Sequence, residues 1–332
     1  MAELWAVILA AGEGKRMHSR LPKVLHPLCG RRMLEYILRS TVELTSQVLV
    51  VVGHGASQVQ ETLGDKWSYV LQEQQLGTGH AVMEALQKLP DKGILLVLCG
   101  DTPLLEASYL KKLINCYHEH KAAVATAQVP DPSGYGRVVR NTNGKVIKIV
   151  EDKDASDRER ELREINTGTY CFDLELLRHY LPRLKTDNLQ HEYYLPDVIT
   201  MMHQDGYPVG ACCLDDYRVG LGINNRAQLA EAIGILQQKI KLGLMQKGVT
   251  IEKPDTVYVD VDVQVGMDTV LRPHCVLEKG TIIGKQCIIG PGSYLSQAIV
   301  GDDSVISYSV VDNYRLEINS EVGPFAHLKG EG

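Results

Sequence analysis

The chain has 332 residues, 44% of them hydrophobic, and carries a formal net charge of −6 at pH 7. This length and hydrophobic content are enough for a large core and predict about two domains of the usual ~100–200 residues. A protein that binds the phosphate backbone of nucleic acid is normally basic, so the acidic balance argues against a nucleic-acid partner.

The cysteines and the apolar runs narrow the class of protein further. None of the eight cysteines forms C-x-x-C, which favours reduced, buried thiols in a cytosolic protein over a disulfide or zinc framework. The longest apolar runs, such as GILLVLC at 93–99, are far shorter than the ~20 residues of a membrane span. The N-terminus carries Glu3 and no basic segment, unlike a secretory signal peptide. We therefore expect a cytoplasmic protein with no membrane partner.

The first part of the sequence alternates short apolar runs with longer helical patterns. Nearly continuous apolar runs, typical of strands in a buried parallel sheet, occur at 4–9, 47–52, 67–71 and 94–98. Helices are predicted between them at 33–44, 79–89 and 108–118. This order predicts a Rossmann-like α/β domain with a mostly parallel sheet and helices on both faces. Ligands of such domains bind outside the carboxyl ends of the strands.

The first predicted strand runs into the sequence VILAAGEGKRM, residues 7–17. A strand that leads into a glycine-rich turn and a helix offers backbone N–H groups to phosphate. Lys15, Arg16 and Lys23 add positive charge nearby. The stretch lacks the third glycine of G-x-G-x-x-G and is not a Walker A loop. Taken alone, it is equally compatible with an ordinary helix start that carries two solvated cations.

A second candidate site residue, Asp101, closes the strand predicted at 94–98. A carboxylate at a strand end beside phosphates suits Mg²⁺, because this ion prefers one or two protein oxygens together with phosphate and water. The alternative role for an aspartate at this place is a helix N-cap.

The last third of the chain follows a different pattern. A helix is predicted at 225–247, where aliphatic residues form one stripe. Beyond it, every sixth residue from Val259 to Leu295 is aliphatic; after a slip of one residue the count resumes at Val300, Ile306 and Ile318, with Asp312 as the exception. This period indicates a parallel β-helix of hexapeptide repeats, whose aliphatic side chains stack inside the coils.

Several motifs together resemble one enzyme family. LAAGEGKRMHSRLPKVL, at 9–25, is similar to the signature of sugar-1-phosphate nucleotidylyltransferases. It is followed in order by QEQQLGTGHAV, GDTPLL, DPSGYGRVVR, IVEDKDA, EINTGTY, NLQHEYYLPDV and GINNRAQL. The whole set resembles the bifunctional bacterial N-acetylglucosamine-1-phosphate uridylyltransferases/glucosamine-1-phosphate N-acetyltransferases, over residues 7 to at least 330.

This resemblance implies roles for residues of the first domain. Arg16 and Lys23 would be the catalytic cations, and Asp101 and Asn224 would hold Mg²⁺. The residues implied to contact nucleotide or sugar phosphate are Leu9, Ala10, Ala11, Gly12, Lys23, Gln72, Gly77, Thr78, Cys99, Gly100, Asp101, Gly136, Glu151, Asn166 and Asn224.

The implied subsites have plain alternatives. Gln72, Gly77 and Thr78 would form the uracil pocket, since an amide can pair with a pyrimidine edge, but QLGTGH also suits a polar surface turn. Glu151 would bind the sugar together with Gly136 and Asn166, or it is a solvated charge. Lys15 stands where the family often has threonine, and Cys99 where some members have tyrosine. The contributions of these two side chains therefore stay open.

The resemblance also implies a domain organisation and an activity. Residues 1–224 would form the uridylyltransferase domain, 225–248 a linker helix, and 249–332 a left-handed β-helix that ends early and forms a homotrimer. The activity would be Mg²⁺-dependent transfer of UMP from UTP to N-acetylglucosamine 1-phosphate, for cell-wall precursor synthesis. The family's acetyl-transfer site lies further along the β-helix, so we expect this chain to lack that activity.

Three other functions remain compatible with the sequence. One is a nucleotidylyltransferase that acts on glucose 1-phosphate or mannose 1-phosphate. Another is a hexapeptide acyltransferase whose N-terminal domain only binds nucleotide. The third is a structural trimer-forming protein, against which the series of anion-binding motifs argues.

Overall fold

A computed structural model describes residues 2–330, which divide into two compact units. The first unit contains residues 2–26 and 32–226, and the second contains residues 27–31 and 227–330. Pro27–Arg31 joins the second unit through contacts such as the hydrogen bond from the Val261 N–H to the Cys29 carbonyl, at 3.0 Å. Within residues 2–330, none of the helices combines the length and hydropathy that a bilayer crossing requires.

The first unit is built on a nine-stranded sheet. Its strands are β1 (Leu4–Ala10), β2 (Val48–Val52), β3 (Ser68–Leu71), β4 (Ile94–Cys99), β5 (Ala122–Gln128), β6 (Arg137–Arg140), β7 (Val146–Val150), β8 (Glu164–Asp173) and β9 (Val209–Cys213). Seven of them lie in the order β9-β5-β8-β4-β1-β2-β3, and β6 pairs with both β8 and β7. Within this path of seven, β8 runs opposite to its neighbours and the other strands are parallel.

Helices connect the strands and pack on the sheet. Their bounds are α1 (Met33–Val42), α2 (Ala56–Leu63), α3 (Thr78–Leu86), α4 (Ala107–Glu119), α5 (Asp157–Arg160), α6 (Leu174–Tyr180), α7 (Asp197–Gln204) and α8 (Arg226–Gln246). The strands and helices predicted from the sequence are confirmed, with ends that shift by a few residues. Helix α3, for example, ends three residues before the predicted 89, because Pro90 lies just beyond and cannot continue a helix.

The central strands β1, β2 and β4 form the core of the first unit. Val7, Ile8, Val50 and Leu96 have no exposed surface, because the sheet is covered on both faces. The Gly100 N–H donates to the Leu9 carbonyl at 2.9 Å, and the His54 N–H donates to the Ala11 carbonyl at 3.2 Å. The turns that follow these strands are therefore held together at one edge of the sheet.

The second unit is a parallel β-helix. Its strands are β10 (Thr250–Ile251), β11 (Tyr258–Val259), β12 (Gln264–Val265), β13 (Val270–Leu271), β14 (Val276–Glu278), β15 (Ile282–Ile283), β16 (Ile288–Ile289), β17 (Tyr294–Ser296), β18 (Ile299–Val300), β19 (Val305–Ile306), β20 (Val310–Asp312), β21 (Arg315–Leu316), β22 (Glu321–Val322) and β23 (His327–Lys329). Every third strand pairs in parallel, which produces sheets of five, five and four strands around one core.

Helix α8 packs on the first coil of this unit through polar as well as apolar groups. Leu236 and Leu244 are buried, as the predicted apolar stripe requires. The buried Gln237 amide donates to the Val259 carbonyl at 2.7 Å and accepts from the Val259 N–H at 3.1 Å. The Gln237 amide thus satisfies backbone groups of β11 that would otherwise be unpaired.

The predicted hexapeptide count is right as far as Ile306 and wrong beyond it. Ile318 is 61% exposed, whereas Val311, Leu316 and Val322 are buried. The strand pairings explain the difference, because each aliphatic residue stacks on that of the previous coil, as in Leu295↔Val311 and Val300↔Leu316. The repeats from Ile306 to Val311 and from Val311 to Leu316 have five residues in place of six. The interior residue is therefore Val311, and not Asp312 as the six-residue count predicts.

Two isoleucines test this corrected register. Ile306→Ala should lower the free energy of unfolding by ~2–5 kcal/mol, because it leaves a cavity in the coil. Ile318→Ala should change it by less than ~0.5 kcal/mol, because the side chain is exposed. Scanning calorimetry of both variants measures the difference. Equal destabilisation by the two substitutions would contradict the register described.

Candidate active site

A cleft of about 450 Å³ lies in the first unit, outside the carboxyl ends of β1 and β4. The turns after β1, β3 and β4 supply most of its surface. Its lining consists of Leu9, Ala10, Ala11, Gly12, Glu13, Lys15, Lys23, Val24, Gln72, Gln75, Gly77, Thr78, Ala81, Cys99, Asp101 and Glu192. Clefts at this edge of an α/β sheet are the usual ligand sites.

Most of the residues predicted for the nucleotide lie in this cleft. Those in the lining are Leu9, Ala10, Ala11, Gly12, Lys23, Gln72, Gly77, Thr78, Cys99 and Asp101. Those outside the lining are Arg16, Gly100, Gly136, Glu151, Asn166 and Asn224. Arg16 is exposed on the short 3-10 turn Lys15–Met17. Its neighbour Lys15 lines the cleft, but Arg16 does not.

Lys23, Asp101 and Asn224 form one cluster at the cleft. The Lys23 ammonium donates to Asp101 Oδ2, and also to Asn224 Oδ1 at 3.1 Å. The Ile223 N–H donates to the Asp101 carbonyl at 2.9 Å, which holds the turn that carries Asn224 against Asp101. Residues from three distant parts of the sequence thus meet around one positive charge.

The Asp101 and Asn224 oxygens of this cluster suit a magnesium ion. These oxygens are hard donors, and they already share a cation, the Lys23 ammonium. Among residues 2–330, no group of three or more His, Cys, Asp or Glu side chains could hold a metal. A Mg²⁺ ion at Asp101 and Asn224 would complete its coordination with phosphate and water, as this ion commonly does.

The two glycines of the β1 turn have different structural roles. Gly14 has φ +66°, and a Cβ there would lie 2.7 Å from the Lys23 Cβ. Gly14 therefore lets the turn pass close to Lys23, which only a residue without a side chain allows. A Cβ on Gly12 would meet nothing within 4 Å, so the chain there borders open space.

Lys15, the residue that departs from the family pattern, lines the cleft. Its ammonium lies 3.0 Å from Glu13 Oε2, and the two side chains are 79% and 50% exposed. Such an exposed pair contributes little to stability. Lys15 is therefore free to bring its charge to a ligand without cost to the fold.

The predicted base-binding residues are held by a local network. The Gln72 amide nitrogen lies 3.1 Å from the Gly77 carbonyl oxygen and 3.0 Å from His80 Nδ1. Gly77 has φ +103°, and a Cβ there would lie 2.7 Å from the Tyr193 carbonyl oxygen. The Thr78 hydroxyl accepts from the Leu195 N–H at 3.1 Å. These contacts fix the start of helix α3 at the cleft wall.

The predicted sugar-binding residues also come together, although they lie outside the cleft lining. A Cβ on Gly136 would lie 3.3 Å from Glu151 Oε1 and 3.5 Å from the Asn166 Cβ. The Asn166 amide donates to the Tyr170 hydroxyl at 2.7 Å and accepts from the Gly168 N–H at 3.0 Å. Asn166 is therefore oriented by its own strand.

The pKa of Glu151 is unusually high for a carboxylic acid. Burial raises its pKa to about 7, and the nearby carboxylates of Asp197, Asp154, Glu192 and Asp152 act in the same direction. Burial also raises the pKa of Asp197 to about 6, with a contribution from Asp154. The surroundings of Glu151 thus disfavour further negative charge.

Cys99 is a packed thiol and not a nucleophile. Burial raises its pKa to about 12, and the nearby Asp101 carboxylate adds to this effect. Its Sγ donates to the Gly168 carbonyl at 3.4 Å. The thiol therefore stays protonated near neutral pH and fills space beside Gly168.

Two cleft residues were not assigned a role from the sequence. Gln75 donates from its amide to the Gln72 carbonyl at 3.1 Å, and Glu192 lines the cleft beside Gly77. Both lie inside motifs that carried the family resemblance, QEQQLGTGHAV and NLQHEYYLPDV. Their distance in the sequence gave no signal that they meet at one cleft.

Comparisons with known proteins indicate the class and the family of this chain. A protein-family model described as a MobA-like NTP transferase domain matches residues 6–163. The crystal structure of a Bacillus anthracis protein assigned as a glucose-1-phosphate thymidylyltransferase, in complex with sucrose, covers 70% of this chain and 95% of its own at a TM-score of 0.56. At 19% identity, that likeness concerns the fold alone. The fold and the cleft together define a nucleotidyltransferase.

Curated relatives cover the whole chain. The bifunctional protein GlmU of Listeria welshimeri is 44% identical over 100% of this chain and 73% of its own length. That of Shouchella clausii is 44% identical over 99% of this chain, again with 73% of its length covered. The chain belongs to the bifunctional GlmU family.

The high pKa of Glu151 predicts a pH-dependent stability. Its pKa rises on folding from the ordinary 4.5 to about 7, so its ionisation destabilises the folded state. The free energy of unfolding should therefore fall between pH ~4.5 and ~7 and level off above. Glu151→Gln should be more stable than the parent chain above pH 7, by on the order of 1–3 kcal/mol, and equally stable near pH 4.5.

Urea unfolding at pH 5 and pH 8 measures this difference. Trp5 and Trp67, the two tryptophans of the chain, both belong to the first unit and report its unfolding by fluorescence. Glu161→Gln, at an exposed position, is the matched control and should show no such pH dependence. A Glu151→Gln effect that is the same at both pH values would contradict the assignment.

Proposed function

We propose that this protein transfers UMP from UTP to N-acetylglucosamine 1-phosphate, in the cytoplasm and for cell-wall precursor synthesis. The products are UDP-N-acetylglucosamine and pyrophosphate. The observation that carries the proposal is the cluster of Lys23, Asp101 and Asn224 beside the β1 turn, in a chain of the GlmU family. It combines phosphate-binding charge with hard oxygen ligands at one cleft.

The reaction needs positioning more than covalent chemistry. A phosphate oxygen of the sugar phosphate attacks the α-phosphorus of UTP, while the bond from that phosphorus to the leaving pyrophosphate breaks. The attacking oxygen is already ionised, so no general base is required. The backbone of Leu9–Gly12 borders the cleft where the nucleotide would bind, and the open space beside Gly12 leaves room for it.

The cations of this chain reduce the repulsion between the two anionic substrates. We assign this role to Lys23 at the cleft and to Arg16 on the adjoining turn. Asp101 and Asn224 would hold Mg²⁺, which supplies further neutralisation of phosphate charge when bound. Since Lys23 contacts the same two oxygens, it must give up these contacts to a bound divalent ion and then becomes available to phosphate.

We further propose that the chain forms a homotrimer through its β-helix. The faces of the coils carry exposed apolar side chains, including Ile282 (41%), Val305 (37%) and Phe325 (86%). The proposal rests on these exposed side chains together with the membership of the GlmU family. Light scattering of the purified chain gives the mass of the assembly, and a monomer at micromolar concentration would contradict the trimer.

The direct test of the proposed function is a substrate panel. UTP, CTP, GTP and dTTP are each incubated with N-acetylglucosamine 1-phosphate, glucose 1-phosphate or mannose 1-phosphate, and the products are identified by mass spectrometry. UTP with N-acetylglucosamine 1-phosphate should react fastest. A clear preference for another pair would replace the proposed substrates with those.

Arg16→Ala tests the cation on the turn. Turnover should fall by at least ~100-fold, because charge on the α-phosphate and pyrophosphate loses a stabilising partner. The exposed side chain packs against no core, so circular dichroism and the melting temperature should stay unchanged. Arg20→Ala, another exposed arginine in the same segment, is the control and should keep normal turnover. Near-normal turnover of Arg16→Ala would contradict the role that we assign to Arg16.

Asp101→Asn tests the proposed metal site. The substitution removes one negative charge and keeps an oxygen that can contact Lys23. The Mg²⁺ concentration for half-maximal turnover should rise at least ~10-fold, because Mg²⁺ binds carboxylate more strongly than amide oxygen. Titrations of MgCl₂ at saturating UTP measure this shift. An unchanged Mg²⁺ requirement would place the metal elsewhere.

A further inference from the structure

A chain of hydrogen bonds leads from the cleft wall into helix α3. It starts at the Gln72 amide, passes through the His80 ring and ends at the Glu84 carboxylate. His80 and Glu84 lie one helical turn apart, so their side chains face each other. Neither residue lines the cleft, and neither has a role in the proposed chemistry.

Two acceptors together hold the Gln72 amide in one orientation, the Gly77 carbonyl and the His80 ring. The Gly77 carbonyl oxygen can only accept a hydrogen bond, so the amide atom 3.1 Å from it must be the nitrogen. The same nitrogen lies 3.0 Å from His80 Nδ1. Its two hydrogens are therefore both engaged, one with Gly77 and one with His80.

The same logic fixes the tautomer of His80. Because the Gln72 nitrogen can only donate, Nδ1 must accept, and the ring proton belongs on Nε2. Nε2 lies 3.2 Å from Glu84 Oε1, which accepts that proton as a carboxylate does. The Glu84 carboxylate thus selects the tautomer that the Gln72 orientation requires.

The surroundings keep this arrangement in place. The side chains of His80 and Glu84 are 18% and 32% exposed, and Gln72 is 3% exposed. The His80 ring stacks against Tyr193, with ring centroids 6.3 Å apart and an angle of 26° between the planes. The Gly79 N–H donates to the Tyr193 carbonyl at 2.7 Å, which ties the same helix to the same neighbour.

We infer that His80 and Glu84 are positioning residues that select uracil over cytosine by fixing which end of the Gln72 amide meets the base. This inference rests on the proposed function. With both amide hydrogens engaged, the Gln72 carbonyl oxygen is the remaining hydrogen-bonding atom of a side chain that lines the cleft. Uracil offers a donor at N3 to that oxygen, whereas cytosine has an acceptor at N3. An acceptor that faces an acceptor leaves both unpaired, which discriminates strongly between otherwise similar ligands.

Glu84→Gln tests the inference most cleanly. A glutamine at 84 can donate as well as accept, so it no longer selects one His80 tautomer. A His80 ring that donates from Nδ1 favours the turned-over Gln72 amide, against the preference of the Gly77 carbonyl. The ratio of kcat/KM for UTP to kcat/KM for CTP should fall at least tenfold, while kcat with UTP stays within about threefold of the parent chain. If Glu84 had only a structural role, the substitution would lower kcat/KM for UTP and for CTP by the same factor and leave their ratio unchanged.

Two substitutions at His80 test whether a hydrogen-bond acceptor at this position is enough to keep the preference for UTP. His80→Leu removes the acceptor for the Gln72 nitrogen and should lower the UTP/CTP ratio as Glu84→Gln does. His80→Asn keeps an oxygen that can accept near the Nδ1 position and should retain most of the preference. Glu61→Gln, an exposed glutamate of helix α2, is the matched control and should keep the parent ratio.

The outcomes separate this inference from the proposed function. If the parent chain prefers UTP, and folded Glu84→Gln and His80→Leu keep that preference, the inference is wrong and the proposed function stands. If the parent chain does not transfer UMP, the proposed function fails and the inference fails with it. For any variant that folds without turnover, calorimetric titration with UTP and with CTP gives the ratio of affinities instead, and a parent-like ratio again overturns the inference.

Discussion

The site depends on one electrostatic contact, the Lys23 ammonium held between Asp101 and Asn224. Without this contact, the Asp101 carboxylate would lose its ion pair at the sheet edge, where we propose that a triphosphate binds. The contact brings together the turn after β1, the end of β4 and the segment before α8. It requires Gly14, since any Cβ there would collide with the Lys23 side chain. In the function that we propose, the Lys23 charge binds phosphate, and the two oxygens that it now contacts would hold Mg²⁺.

Much of the fold could be predicted because its hydrophobic pattern is unambiguous. Continuous apolar runs identified β1, β2 and β4, and the period of six identified the coils of the β-helix. The register beyond Ile306 could not be predicted, since shortened repeats depend on stacking between coils and not on the spacing of aliphatics. Val311 and Asp312 are neighbours in the sequence, and only the pairing of Val311 with Leu295 shows which of them faces the core.

The site was predictable where motifs carry it and not where tertiary contacts do. Gln72, Asp101 and Asn224 lie in recognisable motifs, and the cleft or its border contains each of them. The contact of Lys23 with Asp101 joins residues 78 positions apart, and the high pKa of Glu151 arises from burial among carboxylates of several segments. The sequence does not encode such proximities in any local pattern. The same limit applies to the His80–Glu84 pair, whose spacing alone predicts an ordinary surface pair on a helix.

A crystal structure with UTP and Mn²⁺ is the most direct test of the proposed roles of Lys23, Asp101 and Asn224. In it, Mn²⁺ takes the place of Mg²⁺ and is located by its anomalous scattering. We expect one anomalous peak in contact with Asp101 and Asn224, with the Lys23 ammonium moved from these oxygens to the phosphates of UTP. A peak elsewhere, or a Lys23 side chain that still bridges Asp101 and Asn224 in the UTP complex, would contradict these roles.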